Sequence, residues 1–135
     1  MNNAGIKIAL VDDSALMRNS IQEILTAWGY NIVLEAVNGK DLFRQLNASN
    51  LPDVCITDIN MPEMNGYETT RELREKWPGI TVVAFSIAGK REEDRVIAAG
   101  AHAFISKLSP IAELQRLLKN LSGKIAEVRS SKLMS

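Results

Sequence analysis

Five short apolar runs, four of which stop at a polar or charged residue, are each followed by a segment with helical spacing. That alternation leaves the chain few folds to choose from. Ile6 to Val11 stops at Asp12-Asp13, and Asn31 to Ala36 carries Ile32, Val33 and Leu34. Val54-Cys55-Ile56-Thr57 stops at Asp58, Thr81 to Phe85 at Ser86, and Ala103 to Ser106 at Lys107. Between the runs, apolar residues recur at three- and four-residue steps: Met17, Ile21, Ile24, Leu25 and Trp28; Leu42, Phe43 and Leu46; Tyr67, Thr70, Leu73 and Trp77; Ile111, Leu114, Leu118 and Leu121. Strands alternating with helices predict an α/β, doubly wound fold of five strands and five helices. Nearly continuous apolar strands suit a parallel sheet covered on both faces. Right-handed crossovers bring every strand's carboxyl end to one edge, which is where open α/β sheets hold their ligands.

Local signals support these boundaries. Asn38 with Asp41 and Asn65 with Glu68 read as N-caps with an acid three residues on. Ser109-Pro110 reads as an N-cap followed by a first-turn proline. Lys90 to Arg95 is a dense charge run, which reads as a solvated helix face. Only Val96, Ile97 and the following alanines can bury much there, so this helix is expected to be loosely held.

The remaining features narrow the function classes. With 135 residues, one domain is expected. Sixteen basic and sixteen acidic residues cancel, so bulk charge points neither to nucleic acid nor to a membrane surface. The single cysteine, Cys55, excludes an internal disulfide and reads as a small core residue. No window approaches a membrane span, Met1 to Gly5 does not resemble a signal peptide, and a cytoplasmic location is expected. His102, the one histidine, reads as a solvated turn residue.

Asp12, Asp13, Asp58, Ser86 and Lys107 converge on the predicted ligand edge without any long-range coincidence. Carboxylates brought close together repel and need neutralising. A hard divalent cation such as Mg²⁺ does so while keeping open positions for a phosphoryl oxygen. A lysine adds a compact charge and a serine a hydroxyl donor, a set suited to phosphoryl transfer. An aspartate can itself be the nucleophile.

Val11-Asp12-Asp13, Asp58-Ile59-Asn60-Met61-Pro62-Glu63-Met64-Asn65-Gly66, Ser86 and Lys107 resemble the response-regulator receiver domain (CheY-like, with a flavodoxin-like fold) of two-component signalling. The resemblance spans about residues 6 to 121. It implies strand order 2-1-3-4-5 and a phosphoprotein switch. Asp58 would be phosphorylated by a sensor histidine kinase, a phosphotransfer protein or a small phosphodonor. Mg²⁺ would be held by Asp13, Asp58 and the Asn60 backbone carbonyl, with Asp12 acting through a metal-bound water. Ser86 and Lys107 would bind phosphoryl oxygens, and Phe104 would be the aromatic switch, working through packing alone because it has no hydroxyl. Asn60 and Ala88 match positions that line access to the phosphoryl group. Catalysis would extend no further than the chain's own phosphorylation and dephosphorylation.

Two features depart from the commonest pattern. Leu108 follows Lys107 where the family often has proline, so a trans bond is expected. Lysine without proline, together with Ala84-Phe85-Ser86 and the charged helix, resembles receivers fused to helix-turn-helix effectors. No helix-turn-helix is visible here, so direct nucleic-acid binding is not expected, and the chain reads as a stand-alone receiver or the N-terminal domain of a regulator. The output partner is open, a homodimer included. Beyond residue 121, Ile125 and Val128 continue a heptad-like stripe. Residues 122–135 are read as a helix extension or, with Ser122-Gly123 ending the helix, as a linker; the second is preferred.

Three other functions compete. A Mg²⁺ phosphatase with an aspartyl intermediate would be expected to carry Asp-x-Asp after the first strand and a cap domain. A nucleotide or flavin binder would be expected to place a glycine-rich loop there. A receiver signalling without phosphorylation would not need the complete acid set.

Overall fold

The computed structural model describes residues 5–134; Met1 to Ala4 and Ser135 lie outside it. Its elements run in chain order as β1 (Lys7–Val11), α1 (Ala15–Ala27), β2 (Asn31–Ala36), α2 (Gly39–Gln45), β3 (Val54–Thr57), α3 (Gly66–Lys76), β4 (Thr81–Ser86), α4 (Lys90–Ala98), β5 (Ala103–Ser106) and α5 (Ile111–Met134). The strands form one parallel sheet in the order β2-β1-β3-β4-β5. The expected class, strand count and order are therefore what the chain adopts.

Alternation along the strands divides the core in two. Ala9, Val11, Cys55, Val82 and Ala84 face α2, α3 and α4, burying Leu42, Leu73 and Val96. Ile8, Leu10, Val54, Ile56 and Val83 face α1 and α5, burying Ile21, Leu25, Leu114 and Leu118. β3 lies in the middle, paired to β1 on one side and β4 on the other. Its Cys55 is fully buried, and burial pushes the thiol up to about 12.

The helix starts follow the cap signals. Ser14 Oγ accepts from Met17 N at 3.2 Å, Asn38 Oδ1 from Asp41 N at 2.9 Å, and Asn65 forms a reciprocal capping box with Glu68. Val96 is the only residue of α4 that is buried, as its charge run foretold. Among the described residues no peptide bond is cis, so Lys107–Leu108 is trans.

The preferred reading of the tail is overturned. α5 does not stop at Ser122-Gly123 but runs on to Met134. Ser122 is buried; its hydroxyl donates to Leu118 O at 2.7 Å and lies 3.3 Å from Tyr30 Oη. Ile125 packs on the α1/α5 core, and Arg129 pairs with Asp53 at 2.7 Å. These contacts offset the roughly 1 kcal/mol that a glycine costs in a helix interior. The heptad-like stripe is largely spent inside the molecule, since Leu114 and Leu118 are buried and Leu121 and Ile125 pack against the same core.

Candidate functional site: an acidic pocket closed by a lysine

The phosphoryl-transfer candidates meet where the sheet topology places them, at the carboxyl edge of β1, β3, β4 and β5. One oxygen from each of Asp12, Asp13 and Asp58 lies within 4.8 Å of the others. Asp12 is buried, Asp58 half-buried and Asp13 exposed. Lys107 reaches in from the end of β5, its Nζ 2.7 Å from Asp12 Oδ2 and 3.1 Å from Asp58 Oδ2. Ser86, the last residue of β4, donates its hydroxyl to Asp58 Oδ1, which also accepts from Ile59 N at 2.7 Å. Both oxygens of Asp58 are thus held by donors from three different stretches of chain.

Neighbouring backbone keeps these groups in place. Asp58 N donates to Val11 O at 2.9 Å and Asp12 N to Ala36 O at 3.0 Å, extending the sheet pairing one residue past the strands. Asp12 Oδ1 accepts from Ser14 N at 2.9 Å. Gly66 opens α3 directly against the site: its N–H donates to Ile59 O at 2.7 Å, and a Cβ there would lie 2.4 Å from Asp58 O. No side chain fits at that distance, so glycine is required by close approach.

Lys107 is under opposing influences. Desolvation favours the neutral amine, but the hydrogen bond to Asp12 and the charges of Asp58 and Asp12 outweigh it, and its pKa is raised. The ammonium is therefore the internal counter-charge of the acid cluster.

Two further candidates make no hydrogen bond to Asp58 among the described residues. Asn60 is exposed on the loop after β3. Phe104, on β5 opposite Ala84, is half-buried against the α3/α4 side of the core together with Ala88.

Sequence reasoning missed some members of this edge. Arg18, one turn into α1, donates to Asp12 O at 2.6 Å and lies 3.6 Å from the Glu35 carboxylate. Arg95 stacks 4.0 Å over the Tyr67 ring, and Asn60, Tyr67, Arg91, Glu92 and Arg95 line a cleft of about 490 Å³. The only available signal was the charge run itself, which reads equally well as solvated surface. His102 is also more engaged than expected: the residue is exposed, but its Nδ1 accepts from Val82 N at 3.0 Å while its backbone N–H donates to Val82 O at 2.8 Å.

Residues 8–119 match the response regulator receiver domain family. The chain belongs to that family. As a receiver domain it is a phosphorylation-dependent signalling switch, of the kind that works between histidine kinases and output domains. It is 35% identical over 104 residues to the chemotaxis protein CheY of Thermotoga maritima, covering 76% of this chain and 86% of that protein. It is 33% identical over 131 residues to a protein-glutamate methylesterase/protein-glutamine glutaminase of Archaeoglobus fulgidus, but there it covers 95% of this receiver and only 37% of the larger protein. The crystal structure of the response regulator TrrA of Thermotoga maritima, in complex with Mg²⁺ and a beryllium fluoride, superposes with a TM-score of 0.76 at 28% identity, covering 90% of this chain and 99% of that one. Among the described residues no helix is long and apolar enough to cross a membrane.

Proposed function

We propose that Asp58 is the phosphoacceptor of this switch and that Asp12, Asp13, Ser86 and Lys107 assemble its phosphorylation chemistry. The observation that carries the proposal is the three-sided hold on the Asp58 carboxylate by Ile59 N, Ser86 Oγ and Lys107 Nζ inside an acid cluster. These contacts aim the carboxylate before a donor arrives.

An oxygen of Asp58 attacks phosphorus of a phosphohistidine or a small phosphodonor. A P–O bond forms, the bond from phosphorus to the donor breaks, and its electron pair leaves with the donor. Lys107 and Ser86 lose Asp58's charge as partner and donate instead to the phosphoryl oxygens. The hard-oxygen donor set of Asp12, Asp13 and Asp58 fits Mg²⁺. Asp13, Asp58 and the Asn60 carbonyl would hold the ion, with Asp12 acting through a bound water. When bound, it neutralises charge building on the phosphoryl oxygens.

Output follows from Ser86 moving toward the phosphoryl group, with Phe104 turning inward behind it. α4, anchored by one buried residue, is the element most easily biased. Leu16, Ile87 and Leu108 are 80%, 59% and 78% exposed, and follow the ends of β1, β4 and β5. They supply apolar contact for a kinase or phosphotransfer protein docking over the site. We assign switching to residues through 121 and treat the α5 extension as an appendage of it. The setting is cytoplasmic, where such kinases present phosphohistidine.

Incubation with Mg²⁺ and phosphoramidate, followed by intact mass, tests the assignment. Wild type should gain one phosphoryl group and Asp58→Ala none. Labelling of the variant would move the acceptor elsewhere. Continuous donor turnover with no adduct would favour a phosphatase.

A further inference from the structure

The cleft of about 490 Å³ between the β3–α3 loop and α4 has a charge pattern that the phosphorylation chemistry above does not use. Its walls carry two guanidiniums, Arg91 and Arg95, one carboxylate, Glu92, and the polar Asn60, with Tyr67 behind. The carboxylate is already engaged: Glu92 Oε2 accepts from Gly89 N at 3.0 Å, capping α4. Arg95 lies with its guanidinium carbon 4.0 Å from the Tyr67 ring centroid. Arg91 is exposed and has no hydrogen-bond or ion-pair partner among the described residues, whereas its neighbour Lys90 is paired with Asp94 at 3.1 Å. Asn60 lies two residues past Asp58, so the cleft opens onto the loop that leaves the phosphoacceptor.

The geometry points to this cleft as a subsite for the leaving group of small acyl phosphate donors, with Arg91 as the anion handle and Arg95 as its wall. The inference rests on Asp58 being the phosphoacceptor. In that reaction an Asp58 oxygen bonds to phosphorus, the P–O bond to the acyl group breaks, and the electron pair leaves on a carboxylate. No proton is needed. A planar carboxylate developing beside a guanidinium is met by a donor pair of matching shape, and the interaction grows as the bond breaks, so it favours the transition state over the bound donor. A phosphoramidate leaves as ammonia and has no anion to offer the cleft.

The test compares rates of Asp58 modification by acetyl phosphate and by phosphoramidate, both with Mg²⁺, in wild type, Arg91→Ala and Lys90→Ala. Arg91→Ala should slow the acetyl phosphate reaction by roughly five- to tenfold and leave the phosphoramidate reaction within about twofold. The acetyl phosphate advantage should shrink as salt is raised. Lys90→Ala lies in the same turn but does not line the cleft, and should leave both rates as they are. Equal slowing of both donors by Arg91→Ala, no slowing of either, or an equal effect of Lys90→Ala on acetyl phosphate overturns the subsite. Failure of wild type to react with either donor, or to bind beryllofluoride with Mg²⁺, would instead overturn the Asp58 assignment beneath it.

Discussion

Lys107 Nζ holds Asp12 Oδ2 and Asp58 Oδ2, so its charge sits inside the acid cluster proposed to take the cation. Replacing it by methionine leaves two close carboxylates without their counter-charge. In chelator, Lys107→Met should therefore melt at a lower temperature than wild type, because breaking a buried ion pair from one side is costly. In calorimetric titration the variant should bind Mg²⁺ several-fold more tightly, while phosphorylation slows for want of a donor to the phosphoryl oxygens. Unchanged or weaker Mg²⁺ binding would show that the lysine is not the ion's competitor. A second titration belongs to His102, whose pKa is lowered by desolvation and by Arg74. A histidine depressed in the folded state contributes stability that is complete above its ordinary value of 6.5 and is lost as pH falls below it. Denaturant midpoints should thus decline between about pH 6.5 and 5, and less steeply in His102→Gln. The acids, serine and lysine at strand ends were legible because a strand's last residue has a fixed place in a parallel sheet. The contacts of Arg18 and His102 were not, because each depends on an approach from another element that sequence spacing does not encode.

At the level of elements, local rules worked wherever the stabilising groups are near in sequence. The caps at Ser14, Asn38 and Asn65 are contacts spanning three residues, reciprocal at Asn65, so they could be read directly. α5 shows where such rules fail. Ser122-Gly123 is a reasonable stop signal, but Tyr30, the α1/α5 core and Asp53 hold the helix from distant parts of the chain. Nothing lies within 4 Å of where a Cβ on Gly123 would sit. Gly123→Ala should accordingly raise stability by about 0.5–1 kcal/mol in chemical denaturation. A loss of stability would mean that the glycine serves a bend rather than a straight helix.

In the whole molecule the sheet separates two cores of unequal grip. One is closed by α1 and by α5 with its extension, the other by α2, α3 and α4, with α4 contributing a single buried side chain. The order of strands and both apolar faces could be anticipated from pattern and resemblance, because burial dictates residue type throughout the interior. The unequal grip could be anticipated only in part, from the charge run of α4. It suits a switch, since one side can shift while the other preserves the scaffold. The placement of Cys55 gives this division a kinetic reading. β3 has neighbours on both flanks, and the fully buried Cys55 shares its face with Leu42 of α2 and Leu73 of α3 as well as Val96 of α4, so slackening of α4 alone should leave its sulfur covered. Iodoacetamide should find the thiol only when the entire domain comes apart. Its labelling rate should follow global unfolding across a denaturant series and stay the same when the domain is phosphorylated, making one native atom a built-in clock for the lifetime of the fold.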